Sequence, residues 1–482
     1  MRHTGVMRAR SGLPRGLFLL AAVTVVAACG SGGGTSTASP PASAPATSGG
    51  AAPGTPSSTS PPAAATADWP AYHANAARTG TVAGLPAAGP LAVAWTRPLG
   101  SAVYGQPLII GGTVIAATES NRVYGLSRAT GQVLWSVRVG SGRAVPLSDQ
   151  PCGDIAPLGI TGTPVYDHAT GLVYAVAEVT GGAKVLAGIR VSDGKLLMSR
   201  DVPAPDHQPA YDQQRAALAL AAGRIYVAFG GHFGDCGPYR GSVVAVPASG
   251  SGPLLSYVVP TPKQAGLWAP GGPVVGPGNT IYVAAGNGAA RQPPFDGSDS
   301  VIALSPALKR IGVFAPARWP QDNADDLDLG SMSPALLPGG RILQVGKSGI
   351  GYLLNAHTLG GVGGQLADGG VCSAFGGAAV AQSVVYVPCV GTGMTAVSVA
   401  GGHIRVLWRG PAGAGGSPVV GGGAVWVADW NSGTLYELSQ ATGRVQRQIG
   451  LGPALPHFVS PSLSGGLVIV GTMHGVVAVS GA

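Results

Sequence analysis

The sequence predicts an all-β fold: an eight-bladed β-propeller of four-stranded antiparallel blades, closed by an N-terminal strand. Three observations predict it. A phrase of small residue, proline, apolar pair, glycine turn and alternating apolar strand recurs along the chain. The clearest copies start at Pro107, Pro164, Pro273, Pro334, Pro418 and Pro461, and two without the proline lie near Leu218 and Ala378. Second, many copies are followed by an outer hairpin, as in Asn121–Ser127, the turn Ala129-Thr130-Gly131, then Gln132–Val139. Third, the last copy ends at GVVAVSGA with no outer strand, while a spare strand, Leu91–Thr96, precedes the first.

Each observation has a physical basis. Units of roughly forty to sixty residues that cannot bury their own apolar face must stack on neighbours. The hairpins combine period-two alternation with turn residues, Asp193-Gly194 in the second unit and Thr442-Gly443 in the seventh. Pairing Leu91–Thr96 with the strand ending near Ser480 would close the ring and remove two exposed sheet edges. The expected domain runs over 68–482.

The residues before it read as address and tether. Arg2, Arg8, Arg10 and Arg15 form a basic region, and Gly16–Ala28 is apolar but too short to span a bilayer stably. Val26-Ala27-Ala28-Cys29 resembles a bacterial lipobox, so residues 1–28 are expected to be a lipoprotein signal peptide and Cys29 the lipidated residue. Several acyl chains anchor a protein without a transmembrane helix. Residues 29–67 are almost wholly Gly, Ser, Thr, Ala and Pro, a composition expected to stay disordered because it offers little to bury. The expected location is the extracytoplasmic face of a cell membrane.

Charge excludes one class of partner. The precursor is +8, and removal of the four signal arginines leaves about +4 on a chain that is only 10% charged. No basic run is interleaved with aromatics, so nucleic acid is not an expected partner. Apart from Cys29 there are four cysteines, an even number suited to disulfides in an exported chain. Three pairings exist. Cys372 and Cys389 bracket one strand-turn-strand unit, and Cys152 and Cys236 lie in long loops of consecutive units, which favours Cys152–Cys236 with Cys372–Cys389. Four free thiols are the alternative.

TGQVLWSVRV, with Trp135, and the opening DWPAYHANAARTG resemble the propellers of quinoprotein dehydrogenases, which bind pyrroloquinoline quinone (PQQ). The similarity runs over about residues 68–482. It implies roles for particular residues. Trp268 in GLWAPGG matches the tryptophan beneath the quinone, and Asn287 in YVAAGNG the asparagine on calcium. Asp326 in NADDLDLGSMSP resembles the aspartate that serves as catalytic base or lies beside the metal, and Lys347 in VGKSGIGYLL the basic residue at the quinone carbonyls. Glu178 in YAVAEVTGG is the nearest candidate for the glutamate on the metal. The chemistry suits these types: a quinone stacks on indole, calcium takes amide and carboxylate oxygens, and a carboxylate accepts an alcohol proton.

The sequence also departs from that family. It has no adjacent cysteines and no CxxCH haem signature. Asp322, Asp325, Asp326 and Asp328 form its densest acidic patch, while Asp154 and Asp235 read as cap and turn residues and His73 and His457 as ordinary. A similar propeller serves bacterial outer-membrane assembly lipoproteins as a protein-binding surface. The expected function is therefore a membrane-anchored, monomeric binding module for an envelope protein, polymer or small ligand. The alternative is a PQQ- and calcium-dependent dehydrogenase of an alcohol or sugar that passes electrons to a separate acceptor.

Overall fold

The computed structural model describes residues 68–205, 208–453 and 455–481. The expected signal peptide (1–28), Cys29 and the expected tether (29–67) lie outside them. Eight sheets, antiparallel except for one added strand, form the eight blades. Their innermost strands are Leu108–Ile110, Val165–Asp167, Ala219–Ala221, Val274–Val275, Ala335–Leu337, Ala379–Ala381, Val419–Gly421 and Ser462–Ser464, numbered here as blades 1 to 8.

Burial explains the pattern within a blade. The second and third strands are covered on both faces and read as nearly continuous apolar runs, as in Leu172–Glu178 and Lys184–Arg190. The outer strands face solvent on alternate residues, as in Val133–Arg138, Leu196–Asp201 and Val445–Gly450. Two blades carry a fifth strand that the four-strand expectation lacks. Asp212–Gln213 adds to blade 3 at Gly230 and Gly231, and Gly361–Val362 pairs in parallel with Phe314–Ala315 of blade 4.

Neighbouring blades dock through the tryptophans of the outer strands. Trp95 donates its indole N–H to Arg128 O at 2.9 Å, Trp135 to Val191 O at 2.8 Å and Trp408 to Gln440 O at 2.9 Å. Each ring lies against the turn glycine of the next blade. A Cβ on Gly131, Gly194 or Gly443 would come within 2.5, 2.7 or 2.3 Å of that ring, and all three have φ near +70°. Glycine at these turns is thus required twice, by backbone conformation and by the approaching indole.

The ring closes as the truncated last copy implies. Ala92–Pro98 pairs with Gly475–Ser480 from Ala92 opposite Ser480 to Pro98 opposite Gly475, completing blade 8. Arg97 Nε adds a 2.6 Å bond to Gly131 O of blade 1.

The segment 69–82 lies on the propeller axis. The innermost strands turn an unpaired edge to the hub, and this segment covers it. Its hydrogen bonds reach blades 1 and 2 (Trp69 N to Ile109 O, 2.7 Å; Tyr166 N to Pro70 O, 2.8 Å) and blade 4 (Val275 N to Ala76 O, 2.9 Å). They reach blades 6 and 7 as well (Val380 N to Thr79 O, 2.7 Å; Val82 N to Val420 O, 2.9 Å). Arg78 donates to Leu218 O of blade 3, and His73 Nε2 meets Ser460 Oγ ahead of blade 8. His73, Ala74 and Arg78 adopt positive φ, which side chains this size take only where the surroundings enforce it. His73, far from ordinary, is fully buried, and burial holds its imidazole down to about 3.

Candidate functional site

The residue four places before each innermost strand occupies an equivalent position in every blade. In order these are Tyr104, Thr161, Arg215, Pro270, Ser331, Phe375, Gly415 and Phe458. Arg215 is the charged member of the set. Tyr104, Thr161, Arg215, Pro270 and Phe458 surround a polar void of about 10 Å³ roofed on the other side by Tyr72 of the axial segment. Beyond it, away from that segment, a cavity of about 520 Å³ opens.

The cavity wall brings together three of the sequence-derived candidates, Trp268, Asp326 and Lys347. Two others stand outside its lining. Asn287 sits behind it and donates its backbone N–H to Asp328 Oδ1 at 2.6 Å. Glu178 is buried in a pair with Lys184 at 3.5 Å and accepts the Gln214 N–H at 2.6 Å. The structure adds residues that sequence reading placed elsewhere: Asp154, Asp235 and His457 line the cavity, as do Asp328, Arg215, Phe375 and Phe458.

The acidic side of the cavity is built around a lysine. Lys347 Nζ lies 2.6 Å from Asp328 Oδ2 and 2.9 Å from Asp326 Oδ1. Asp328 is the buried partner and Asp326, at φ 55°, the exposed one. Burial raises the Asp328 carboxyl, with Lys347 opposing. Burial also disfavours the Lys347 ammonium, but the two aspartates hold it above its ordinary range. The aromatic side is a run of rings. Phe375 and Phe458 stack at 5.7 Å and 7°, and Trp268 is tilted against both at 6.3 and 6.4 Å.

Both expected disulfides are present. Cys152–Cys236 ties two loops at the cavity rim, next to Asp154 and Asp235, and Cys372–Cys389 crosses the hairpin of blade 6.

Glu119 occupies the position in blade 1 that Glu178 holds in blade 2. Its Oε2 accepts from Gly159 N at 2.6 Å and Thr161 Oγ1 at 3.2 Å, and its Oε1 is buried with no partner. Burial pushes this carboxyl up to about 8. A raised folded-state value means that the group's stabilising contribution is present below about 4.5 and is lost as pH rises through about 8. Glu119→Gln is expected to match the parent at pH 5 and exceed it by roughly 2–4 kcal/mol above pH 8. Urea midpoints at pH 5 and 9 measure this; parallel shifts in both proteins would refute it.

A sequence model of the family described as outer membrane protein assembly factor BamB matches residues 74–307. The quinohemoprotein alcohol dehydrogenase of Comamonas testosteroni superposes with a TM-score of 0.68 at 16% identity, over 86% of this chain and 81% of that one. The fold is a PQQ-binding-like β-propeller. A europium-containing methanol dehydrogenase shares this propeller with a TM-score of 0.63 at 16% identity, over 84% of this chain and 89% of that one. BamB from Moraxella catarrhalis shares it with a TM-score of 0.58 at 14% identity, over 82% of this chain and all of that one. No curated protein matches the sequence.

The groups that this PQQ-propeller fold holds in dehydrogenases do not fit the residues here. Calcium takes six to eight oxygen ligands. The facing oxygens of Asp326 and Asp328 are both bound to Lys347, Asp328 Oδ1 is bound to Asn287 N, and Glu178 is paired with Lys184. Among the described residues no group of three or more His, Cys, Asp and Glu side chains is arranged to hold a metal ion. A quinone bearing several carboxylates would face Asp154, Asp235, Asp326 and Asp328 against the two cations Arg215 and Lys347. No helix among the described residues is long and apolar enough to cross a membrane.

Proposed function

We propose that this protein is an extracytoplasmic binding module, held at the membrane by lipid on Cys29, whose propeller takes a small polar ligand in its axial cavity. The observation that carries this reading is the Lys347 bridge between Asp326 and Asp328. It spends the carboxylates on an internal ion pair and leaves a 520 Å³ space walled by aromatic and hydrogen-bonding side chains, which is the make-up of a binding pocket. The BamB likeness supports an envelope setting and leaves room for a protein or polymer partner on the blade surfaces.

The PQQ- and calcium-dependent dehydrogenase is the second reading, favoured by Trp268, Asp326 and Lys347 sharing one cavity. One experiment separates the two. Purified protein is incubated with PQQ, with and without calcium, and its melting temperature and dye-coupled oxidation of alcohols and sugars are recorded. The binding-module reading expects no calcium-dependent stabilisation and no turnover. Turnover abolished by Asp326→Asn, with quinone binding retained, would establish the dehydrogenase instead.

A further inference from the structure

We propose that Arg215 is the anion-binding end of the axial cavity and that the ligand is a hydroxylated monocarboxylate of the uronic-acid type. This rests on the binding-module reading above.

Arg215 lines both the cavity and the small void beneath it. Its guanidinium carbon lies 4.9 Å from the centroid of the Phe458 ring. Its Nε is buried and makes no hydrogen bond, and among the described residues it forms no ion pair. A buried donor without a partner is costly, and a guanidinium matches the fork of a carboxylate.

The surroundings leave its charge largely uncompensated. Burial keeps Glu119 protonated up to about 8, Tyr104 neutral up to about 12 and His457 neutral down to about 3. The remaining anion near it is Asp154, a 40% exposed side chain 3.9 Å from His457. Phe458 holds its ring beneath the guanidinium from a φ of 63°. That conformation is uncommon for a bulky side chain and marks a position fixed by its surroundings.

The rest of the cavity sets the ligand's other features. Asp154, Asp235, Asp326 and Asp328 outnumber Arg215 and Lys347, so a second or third anionic group on the ligand would be repelled. Asp154 and Asp235, which stand outside the Lys347 ion pair, accept hydrogen bonds from hydroxyl groups. Trp268, and Phe233 at 71% exposure, offer apolar faces to the C–H side of a sugar ring. One carboxylate, several hydroxyls and one apolar face describe a sugar acid better than a flat polyanion.

The test is titration of the full-length protein, followed by tryptophan fluorescence and calorimetry, with D-glucuronate, D-glucose, benzoate and PQQ. Glucuronate is expected to bind most tightly, and Arg215→Met to weaken it by about tenfold to a hundredfold, the loss of one charge-assisted contact. Arg215→Lys keeps the charge and is expected to retain part of the affinity, which also serves if the Met variant melts. Glucose bound as tightly as glucuronate, with Arg215→Met unchanged, would overturn this inference and leave the binding-module reading intact. Benzoate or PQQ bound more tightly than glucuronate would overturn the hydroxylated-ligand assignment. Binding of none of the four probes would count against both.

Discussion

A chain beginning at Leu99 is expected to yield no cooperatively folding protein, whereas the intact chain melts in one transition. The deletion removes the strand Ala92–Pro98, leaving Gly475–Ser480 as an open edge, and it removes the axial segment with fully buried Trp69 and nearly buried Tyr72. Each of those two rings contributes roughly 1.5–3 kcal/mol by burial alone. Their loss, with the uncovered inner strands, approaches the whole 5–15 kcal/mol or so that stabilises a typical domain. Exposed edges also template aggregation. Size-exclusion chromatography and circular dichroism give the readout; a soluble monomer with the parent melting temperature would show that closure and the axial segment are dispensable.

Lys184→Met is expected to lower the unfolding free energy by about 3–5 kcal/mol. Lys184 and Glu178 are both almost fully buried, and the lysine also donates to Pro209 O at 2.8 Å. Methionine would fill most of the space but leave Glu178 charged and unpaired in the wall between blades. The double variant Glu178→Gln, Lys184→Met is expected to recover most of the loss, because the orphaned charge is gone and the Gln214 N–H retains an acceptor. Chemical denaturation of the parent, the single variants Lys184→Met and Glu178→Gln, and the double variant closes the cycle; equal destabilisation in Lys184→Met and the double variant would mean that packing, not charge, sets the cost.

The repeat was legible because a blade must alternate buried middle strands with a half-exposed outer strand, and that need is written at regular intervals. The axial segment was not. Residues 69–82 bond to the blades mainly through backbone groups, so side-chain periodicity carries no trace of their course. Within the site, the cluster of four aspartates pointed to the right loop, but spacing alone could not separate exposed Asp326 from buried Asp328, which differ by the backbone turn at φ 55°. Glu178 carried a plausible carboxylate but not its position, since the nearby Lys184 claims it from the adjoining strand. Arg215 did leave a signal. Aligning the eight copies on their innermost strands sets it beside tyrosine, threonine, proline, serine, phenylalanine and glycine, where a cation is out of keeping.

The strand that closes blade 8 also has a consequence in time. Ala92 leaves the ribosome long before its partner Ser480, 388 residues later in the chain. Blades 1 to 7 each take their four main strands from one stretch of the chain and can form in sequence, but the ring stays open until the final strand is available. Once shut, opening demands that this one junction release the whole of its ladder before any blade can peel away. The domain should therefore unfold slowly, with its persistence governed by the rate of that opening rather than by the equilibrium stability of single blades.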